Sequence, residues 1–414
     1  MRCAAVIAEY NPFHNGHAFQ IRKTKEAGGA DYVIALMSPD FVQRGMPAFA
    51  DKYTRTGMAL EGGADLVLEM PVRTAVSSAG DFASGSVKIL NALGCIDLIS
   101  FGSESGDLGA LTRIADLLSS ETPLFKDILT SSLKEGATYA AARQRSLAAL
   151  LTGKQQLSGN DPADLMGSPN NILALEYLNA LIRTGSAITP FTVRRIGEGY
   201  HSLEGSISDE YPSAEGIRRR YREEGICSAA RAIPSASFEI LRRDLEIYGS
   251  WDPSKYDILL HYALLSTDPG SIMDASDEIA ARIRSLRNSY TDASGFADIV
   301  KTKQYTLTRI RRVLLHIFLG LEKEAPCPEA SYVRILGFRR SAAALLKALK
   351  NNTSIPLITK PASAGRLLSD EAFAGFNEDV RCSSLYRLLQ AKNKRENEYT
   401  RSPIILDDLT SFSS

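Results

Sequence analysis

The sequence predicts an α/β fold, with a parallel sheet in the N-terminal part of the chain followed by a mainly α-helical C-terminal domain. In the N-terminal half, short apolar segments typical of buried strands alternate with helical segments of about ten to fifteen residues. From about residue 225 onwards, strand patterns nearly disappear and long helical periods dominate. A chain of 414 residues is long enough for two domains. We therefore expect one domain over residues 1–225 and a second over residues 226–414.

The elements of the first domain are predicted from apolar runs and from the glycines and prolines that end them. Because helices separate the strands, the strands are expected to run parallel and to place a ligand at their carboxyl ends. The predicted strands are Cys3–Ala8, Tyr32–Met37, Asp65–Met70, Asp97–Phe101 and Phe191–Ile196; the predicted helices include Asp51–Ala64, Ala79–Leu93, a helix opening at Ala18, further helices over residues 108–156 and a helix from Ile172.

The second domain contains an apolar stripe with the spacing of a core-facing helix. The opposite face of the same helix is predicted to carry Arg309, Arg312 and His316. The stripe consists of Ile310, Val313, Leu314, Ile317, Phe318 and Leu321.

Composition and charge exclude several classes of protein. Lysines and arginines balance aspartates and glutamates at 48 each, so no global field draws the chain to nucleic acid, and an RNA contact would have to come from local patches. No apolar run approaches about 18 residues, so no membrane span is expected. The chain starts directly with a predicted strand, without a leader pattern, and its five cysteines are widely spaced. We expect a cytoplasmic protein without a disulfide framework.

The four residues His14-Asn15-Gly16-His17 carry the strongest functional signal. They follow a predicted strand and a turn with Asn11-Pro12, and they precede a predicted helix. A helix start offers free N–H groups and a partial positive charge to an anion, and a glycine there lets backbone approach a nucleotide closely. Two imidazoles three residues apart can donate hydrogen bonds to a phosphate whose charge grows in the transition state. This layout predicts an ATP α-phosphate site.

The same pattern has less specific interpretations. The histidines can be surface or capping residues, or half of a metal site. A metal site needs further ligands, and the chain has only three other histidines, His201, His261 and His316, with scattered cysteines. We predict no metal site formed by protein ligands, and the position after the first strand favours the nucleotide.

Other polar residues at predicted element ends are ambiguous by themselves. Gly102 follows a strand and can line the site or simply form a turn. Asn170 or Asn171 can be a helix N-cap, and this simpler interpretation is favoured. Arg194 and Arg195 are neighbours on a strand, so at most one can face the pocket.

Two basic segments are candidates for RNA contact. Residues 301–312 carry five positive charges and no acid, with Tyr305 as a stacking surface, and residues 218–222 form a second cluster. A charge run is most often a solvated helix face, whereas an aromatic beside it favours RNA. The candidates for binding RNA are Lys301, Lys303, Arg309 and Arg312.

Several ordered stretches resemble the tRNA(Met) cytidine acetate ligase family of nucleotidyltransferase-like enzymes. They extend over the length of the chain, which makes an accidental match improbable. The stretches are AAVIAEYNPFHNGH (4–17), DFVQRGMP (40–47), DKYTRTGMALEGGADLVL (51–68), FGSE (101–104), SPNNILALEY (168–177), RRIGEGYH (194–201), RIRRVLLHIFLG (309–320) and SPII (402–405).

The resemblance implies a Rossmann-like nucleotidyltransferase fold and a two-step reaction. ATP, with Mg²⁺, and acetate would form acetyl-adenylate with release of pyrophosphate. The acetyl group would then pass to the wobble cytidine of elongator tRNA(Met) to give N4-acetylcytidine, without DNA or a membrane as partner. The implied catalytic residues are His14 and His17. The implied ATP contacts are Ile7, Ala8, Glu9, Tyr10, Asn11, Pro12, Phe13, His14, Asn15, Gly16, His17, Ala18, Phe19, Gln20, Gly102, Asn170, Asn171, Arg194 and Arg195.

One departure from the family pattern concerns residues 212–218, PSAEGIR, which resemble a phosphate-binding segment of nucleotidyltransferases. Glu215 stands where the family usually has a threonine, and a carboxylate beside a triphosphate is repulsive unless it is bound to a metal or turned away. Ser213 and Arg218 are therefore assigned as phosphate contacts only by the resemblance.

Alternative functions share part of the same pattern. A small-molecule adenylyltransferase or cytidylyltransferase of the same superfamily has the HxGH motif and the sheet, but it does not account for an extra helical domain. A non-catalytic RNA-binding protein on the same scaffold would not need the intact motif. A class I aminoacyl-tRNA synthetase shares HxGH, yet no KMSKS-like loop is present in the sequence. Acyl specificity depends on pocket shape and does not follow from the sequence.

Overall fold

The fold is described here from a computed structural model of the chain. The structure describes residues 1–120, 122–151, 162–196 and 211–407. Three sequence features lie outside these ranges: His201 with the end of the RRIGEGYH stretch, the loop at Asn160, and the serine-rich tail after Leu409.

The strands form an eight-stranded sheet and a separate two-stranded ribbon of β3 and β4. Most predicted strands agree with the observed ones within one or two residues. The strands are β1 Cys3–Ala8, β2 Tyr32–Met37, β3 Phe41–Val42, β4 Met46–Pro47, β5 Leu66–Glu69, β6 Leu98–Ser103, β7 Thr189–Arg194, β8 Val333–Arg339, β9 Leu357–Ile358 and β10 Ile404–Leu406.

The helices cover both faces of the sheet and build a further helical layer in the second half of the chain. They are α1 Asn15–Glu26, α2 Lys52–Glu61, α3 Val72–Ala75, α4 Ala79–Leu93, α5 Leu108–Ser120, α6 Pro123–Lys134, α7 Tyr139–Leu151, α8 Pro162–Gly167, α9 Pro169–Thr184, α10 Ala214–Glu224, α11 Ser235–Ile247, α12 Pro253–Ser266, α13 Asp277–Leu286, α14 Ala293–Val300, α15 Leu307–Leu319, α16 Ala343–Asn352, α17 Ala364–Leu367 and α18 Asp370–Leu388.

The large sheet has the strand order β10-β8-β5-β2-β1-β6-β7, with β9 paired to β8. From β5 to β7 all pairs are parallel, as the sequence predicts; β1 pairs with β2 on one side and with β6 on the other. The strand order reverses direction around β1, so a crevice opens at its carboxyl end, where open α/β sheets bind ligands. The residues that follow Ala8 lie at this crevice. The predicted α/β fold is confirmed by the mostly parallel sheet with its helices.

Three strands come from the part of the chain where the sequence predicts helices almost alone. Strand β8 pairs antiparallel with β5, and β9 and β10 pair parallel with β8, which makes the sheet mixed. Strand patterns are weak here because Arg334 and Arg339 interrupt the apolar alternation of β8. The division of the chain at residue 225 stays a prediction, and the sheet itself draws strands from both sides of it.

The helical layer has its own core, in which the predicted stripe on α15 is buried. His316 differs from the prediction that it lies on the opposite, solvated face. Its side chain is fully buried, with Nδ1 2.9 Å from the carbonyl of Met273 and Nε2 2.9 Å from that of Val76. The two ring nitrogens thus join α15 to backbone from two other segments, a role that only the tertiary fold reveals.

A buried cluster of charges joins the first half of the chain to its end. Lys52 at the start of α2 is 1% exposed, and its Nζ lies 2.6 Å from Glu69 Oε1 and 3.0 Å from Glu398 Oε2. Arg334 on β8 pairs with the same two carboxylates. Two of these contacts, Lys52 with Glu398 and Arg334 with Glu69, connect residues more than 260 positions apart in the chain. We call this set the buried charge cluster.

The described part of the chain contains no helix that is long and apolar enough to cross a membrane. All five cysteines are free thiols.

Candidate active site

A fixed loop connects β1 to α1 and forms one wall of the crevice. Tyr10 has a positive φ of 49°, and the Asn11–Pro12 peptide bond is cis. The side-chain oxygen of Asn11 accepts a hydrogen bond from the backbone N–H of Phe49 at 2.7 Å. The carbonyl of Asn11 accepts a bond from Arg218. The loop is thus attached at one residue to two other segments.

His14 and His17 form a reciprocal cap at the start of α1. The Nδ1 atom of His14 accepts from the N–H of Gly16 at 3.1 Å, and the Nδ1 atom of His17 accepts from the N–H of His14 at 3.2 Å. The two rings stack with centroids 3.8 Å apart. Since both Nδ1 atoms accept, a neutral ring carries its proton on Nε2. The cap therefore fixes the tautomer in which Nε2–H is the donor available to a ligand.

Both imidazoles are held in the neutral form. Burial, with a smaller contribution from Arg195, lowers the pKa of His14 to about 3. Burial and the neighbouring His14 and Arg195 lower the pKa of His17 well below its usual value. A neutral imidazole of this tautomer still donates from Nε2–H, so both rings can bind phosphate oxygens whose charge grows during a reaction.

The lowered pKa of His14 predicts a pH dependence of stability. In the unfolded chain this histidine titrates near 6.5, whereas in the folded chain it takes up a proton only near pH 3. The stabilisation that comes from keeping the ring neutral is complete above pH 6.5 and decreases as pH falls from 6.5 towards 3. The expected loss is on the order of 1 kcal/mol of unfolding free energy per pH unit.

Urea unfolding at pH 6.5 and 5.5 measures this effect, with His14→Gln as the comparison. Glutamine does not titrate, so the variant should lose less stability than the wild type over this interval. Equal slopes for the two proteins would show that His14 does not titrate abnormally.

Several predicted ATP contacts on α1 have other partners. Asn15 Nδ2 donates to the carbonyl of Arg231 at 2.8 Å, and Gln20 Nε2 donates to that of Ser100 at 3.1 Å. Gly16 is required by its neighbour, because a Cβ atom there would lie 2.9 Å from His14 Cε1. The side chains of Asn15 and Gln20 therefore hold α1 in place, while Gly16 leaves room for the His14 ring.

The remaining predicted contacts of the first segment line or support the same loop. The rings of Tyr10 and Phe13 are buried and pack on His17, with Tyr10 4.9 Å from it between centroids. The half-buried positions of the segment are Ile7, Ala8, Glu9, Ala18 and Phe19, while Pro12 is buried.

The opposite wall of the crevice is built by the end of β6 and the start of α9. Glu104 accepts from the N–H of Asn171 at 2.8 Å and from Asn170 Nδ2 at 2.7 Å. The side-chain oxygen of Asn171 accepts in return from the N–H of Glu104 at 3.0 Å. The expectation that one of these asparagines is the N-cap is wrong, because Ser168 holds that position. The two asparagines instead attach the start of α9 to the loop after β6.

Arg194 ends β7 and Arg195 follows it, and the two side chains have different neighbours. Arg195 Nη1 lies 3.4 Å from Asn170 Oδ1, and its Cγ packs over Gly102. Its charge acts on both His14 and His17. Arg194 packs instead against Gly106, whose φ of +66° suits glycine. Arg195 is therefore the member of the pair beside the imidazoles.

The segment with the unusual glutamate forms the start of α10. Ser213 is the N-cap, and its Oγ accepts from the N–H of Gly216 at 3.1 Å. Glu215 pairs with Arg218 and lies 3.8 Å from Arg222. The charge of the carboxylate is thus balanced by two arginines of its own helix. This pairing reduces the repulsion that the sequence predicts between Glu215 and a triphosphate.

Arg55 supports the loop at the site, although no local pattern in the sequence marks it. This α2 residue has no exposed surface and donates to the carbonyls of Glu9 at 2.7 Å and Ser38 at 3.0 Å, and to those of Ala50 and Pro39. It binds together the chain segments that leave β1 and β2. In the sequence it is one more charged residue on a helix, and no local signal distinguishes it.

The predicted RNA contacts lie apart from these residues, at the junction of α14 and α15. Lys301 and Lys303 are exposed. Arg309 and Arg312 each lie 3.2 Å from an oxygen of Asp274. Within the described ranges, no three histidine, cysteine, aspartate or glutamate side chains are grouped so as to hold a metal ion.

The model of the family described as HIGH Nucleotidyl Transferase matches residues 1–401. The chain is 38% identical over 392 residues to a tRNA(Met) cytidine acetate ligase of Thermoanaerobacter, covering 94% of this chain and 95% of the relative. It is 35% identical over 411 residues to the Clostridium perfringens protein of that name, covering 98% and 100%.

The chain belongs to the tRNA(Met) cytidine acetate ligase family. The resemblance found in the sequence is thereby confirmed. The predictions of an enzyme and of a nucleotidyltransferase-like fold are confirmed as well. A crystal structure of Thermotoga maritima TmcAL bound with α-thio ATP is similar at a TM-score of 0.87, with 28% identity, and covers 99% of this chain and all of the other. The apo form of that protein is similar at a TM-score of 0.89 with 29% identity. This member of the ligase family therefore shares its fold with a protein that binds an ATP analogue.

Proposed function

We propose that the protein activates acetate with ATP and transfers the acetyl group to the wobble cytidine of elongator tRNA(Met), forming N4-acetylcytidine. The observation that carries the proposal is the pair of neutral imidazoles capping α1, whose Nε2–H groups are the donors left for a phosphate. The relatives are tRNA(Met) cytidine acetate ligases, which supports acetate and tRNA(Met) as the substrates. The similar Thermotoga protein binds an ATP analogue, which supports ATP as the nucleotide.

In the first step, a carboxylate oxygen of acetate attacks the α-phosphorus of ATP. The bond from that phosphorus to the pyrophosphate oxygen breaks, and acetyl-adenylate and pyrophosphate result. His14 and His17 donate to the α-phosphate oxygens, and the N-terminus of α1 adds its partial positive charge. Arg195, whose charge acts on both imidazoles, binds the pyrophosphate charge in this proposal.

Mg²⁺ fits this chemistry as part of the nucleotide complex. It is usually held by substrate phosphates, waters and few protein carboxylates, so a preformed cluster of protein ligands is not required. Its contribution when bound is to neutralise charge on the departing pyrophosphate.

In the second step, the exocyclic amine of the cytidine attacks the acetyl carbon of the adenylate. The bond from that carbon to the AMP oxygen breaks, AMP leaves, and the amine loses a proton. This step requires an anticodon loop whose cytidine is unstacked, because bases in a helix are not accessible for such chemistry. With tRNA as the acceptor, we expect the enzyme to act in the cytoplasm.

Mass analysis of the wobble nucleoside tests the proposal. The protein is incubated with ATP, acetate and unmodified elongator tRNA(Met), and the nucleosides are then separated. We expect a gain of one acetyl group on cytidine that depends on both ATP and acetate. An unmodified cytidine, together with AMP transfer to a phosphorylated small molecule offered separately, would favour the small-molecule adenylyltransferase instead.

Lys301 and Lys303 test the proposed tRNA surface better than the neighbouring arginines. Arg309 and Arg312 pair with Asp274, so reversing their charge would also create repulsion inside the protein. Replacing both lysines with glutamate should weaken tRNA binding by about tenfold at low salt and flatten its salt dependence. Filter binding at several salt concentrations measures both quantities.

Acetate-dependent ATP–pyrophosphate exchange is the control for the lysine variant, because it reports on the first step alone. It should equal the wild-type rate. Unchanged tRNA affinity would remove this surface from the proposal.

A further inference from the structure

A large cleft lies beside the crevice and has no assigned role. Its volume is about 710 Å³, within the range of roughly 300–1,000 Å³ usual for small-molecule sites, and its wall is mostly apolar. It lies between the β3–β4 ribbon, α10, and the starts of α12 and α14. We call it the aromatic cleft, after the side chains of Phe49, Tyr221, Trp251 and Tyr256 that line it.

We infer that the aromatic cleft binds unstacked bases of the RNA acceptor during acetyl transfer. The inference rests on the proposed function and assigns the place where the RNA substrate enters. Unpaired bases are recognised by stacking on aromatic rings and on the planes of arginine side chains, and this cleft provides both.

The aromatic rings are arranged as a surface for flat ligands. Tyr221 meets Phe49 edge to face with centroids 4.9 Å apart. Trp251 meets Tyr256 in the same way at 5.9 Å. Phe49 and Tyr256 are buried, whereas Tyr221 and Trp251 keep part of their surface accessible. The accessible rings are therefore fixed from behind by buried ones.

Four acidic and four basic side chains line the cleft, so its preference depends on which of them are already paired. Arg311 lines the cleft, and its side chain has no hydrogen bond or ion pair within the part of the chain that the structure describes. The acidic residues Asp252, Asp257 and Asp292 accept from backbone N–H groups at the starts of α12 and α14, at 2.8 to 2.9 Å. Their charge is directed into helix ends, whereas the guanidinium of Arg311 remains available for a phosphate or a base.

One residue, Asn11, connects the cleft to the loop between β1 and α1. Asn11 binds the N–H of Phe49 with its side chain and receives a bond from Arg218 at its carbonyl. Phe49 and Arg218 both line the cleft. A base held there thus lies against the segment that leads into His14, which is the arrangement needed to present a neighbouring cytidine to an acetyl-adenylate.

Trp251 is the only tryptophan of the chain and provides a direct signal. Titration with a single-stranded anticodon-loop RNA should quench its fluorescence because a base stacks on the cleft. A fully paired RNA of equal charge should bind without comparable quenching. Binding of the loop RNA with unchanged tryptophan emission, or no binding at all, would overturn the inference.

Two variants complete the test. Tyr221→Leu and Arg311→Ala should each weaken binding of the loop RNA by about tenfold. The matched control is Tyr262→Leu, since Tyr262 is 70% exposed on α12 and does not line the cleft. Wild-type affinity in both cleft variants would refute the inference, and Arg311→Ala keeps the test decisive should Tyr221→Leu fail to fold.

Acetate-dependent ATP–pyrophosphate exchange separates this inference from the proposed function. The cleft variants should retain the wild-type exchange rate, because they change the RNA site alone. If the wild-type protein showed no exchange, the proposed function would be contradicted. The quenching of Trp251 fluorescence by RNA is measured without ATP, so it tests RNA binding at the cleft independently of the proposed function.

Discussion

His17→Ala is expected to reduce the rate of acetyl-adenylate formation by about 10²–10³-fold while the protein stays folded. The substitution removes an Nε2–H donor that is already oriented, since His17 Nδ1 is fixed by the N–H of His14 at 3.2 Å. A donor that needs no reorientation contributes most when charge develops on the phosphate. Acetate-dependent ATP–pyrophosphate exchange measures the rate, and circular dichroism verifies the fold.

Asparagine and glutamine at position 17 separate the two functions of the imidazole. His17→Asn can keep an acceptor near the Nδ1 position, so the cap on α1 is retained while the phosphate donor is lost. His17→Gln can place an amide N–H near the Nε2 position, so part of the activity should return although the cap is weakened. Higher activity of the asparagine variant than of the glutamine variant would mean that His17 acts only as a cap. Wild-type turnover in the alanine variant would refute its catalytic role.

Lys52→Met is expected to cost about 3–5 kcal/mol of unfolding free energy, the largest stability effect predicted here. The substitution leaves Glu69 and Glu398 facing each other across a buried space with one cation fewer. The ammonium group lies 2.6 Å and 3.0 Å from these carboxylates and is 1% exposed, so water cannot replace it. Denaturation in urea, monitored by circular dichroism, measures the change.

Lys88→Met is the matched control for this prediction. Lys88 also pairs with a glutamate, Glu329, but both side chains are nearly half exposed. Exposed ion pairs contribute little because water and salt screen them, so the midpoint of this variant should equal that of the wild type. A loss as small for Lys52→Met as for Lys88→Met would show that the buried charge cluster does not stabilise the fold.

Much of the fold follows from local patterns. The strands Cys3–Ala8 and Tyr32–Met37 and the helix Ala79–Leu93 are predicted to the residue, because apolar runs and the glycine after Leu93 mark their ends. Strand β8 escapes prediction because its pairing with β5 is decided by residues far away in the chain. Arg334 is charged in the sequence, but in the fold it is buried and paired with Glu69 and Glu398.

The candidate site shows the same division. The HNGH motif locates both imidazoles because a helix start and a glycine are local features. The sequence does not indicate that His14 and His17 accept at Nδ1, nor that Arg195 rather than Arg194 lies beside them. It also assigns His316 to a solvated face, since helical periodicity describes only one partner of a packed helix. Arg55 has no signal at all, because its four acceptors belong to loops that converge only on folding.

By itself, the sequence determined the α/β class, the position of the nucleotide motif after the first strand and the family, because each depends on residues close together in the chain. The tertiary structure alone decided which charges are buried in pairs, which arginine faces the imidazoles and where four aromatic rings meet in a cleft. These depend on contacts between distant segments, whose geometry is set by packing across the sheet and is not encoded in any local spacing.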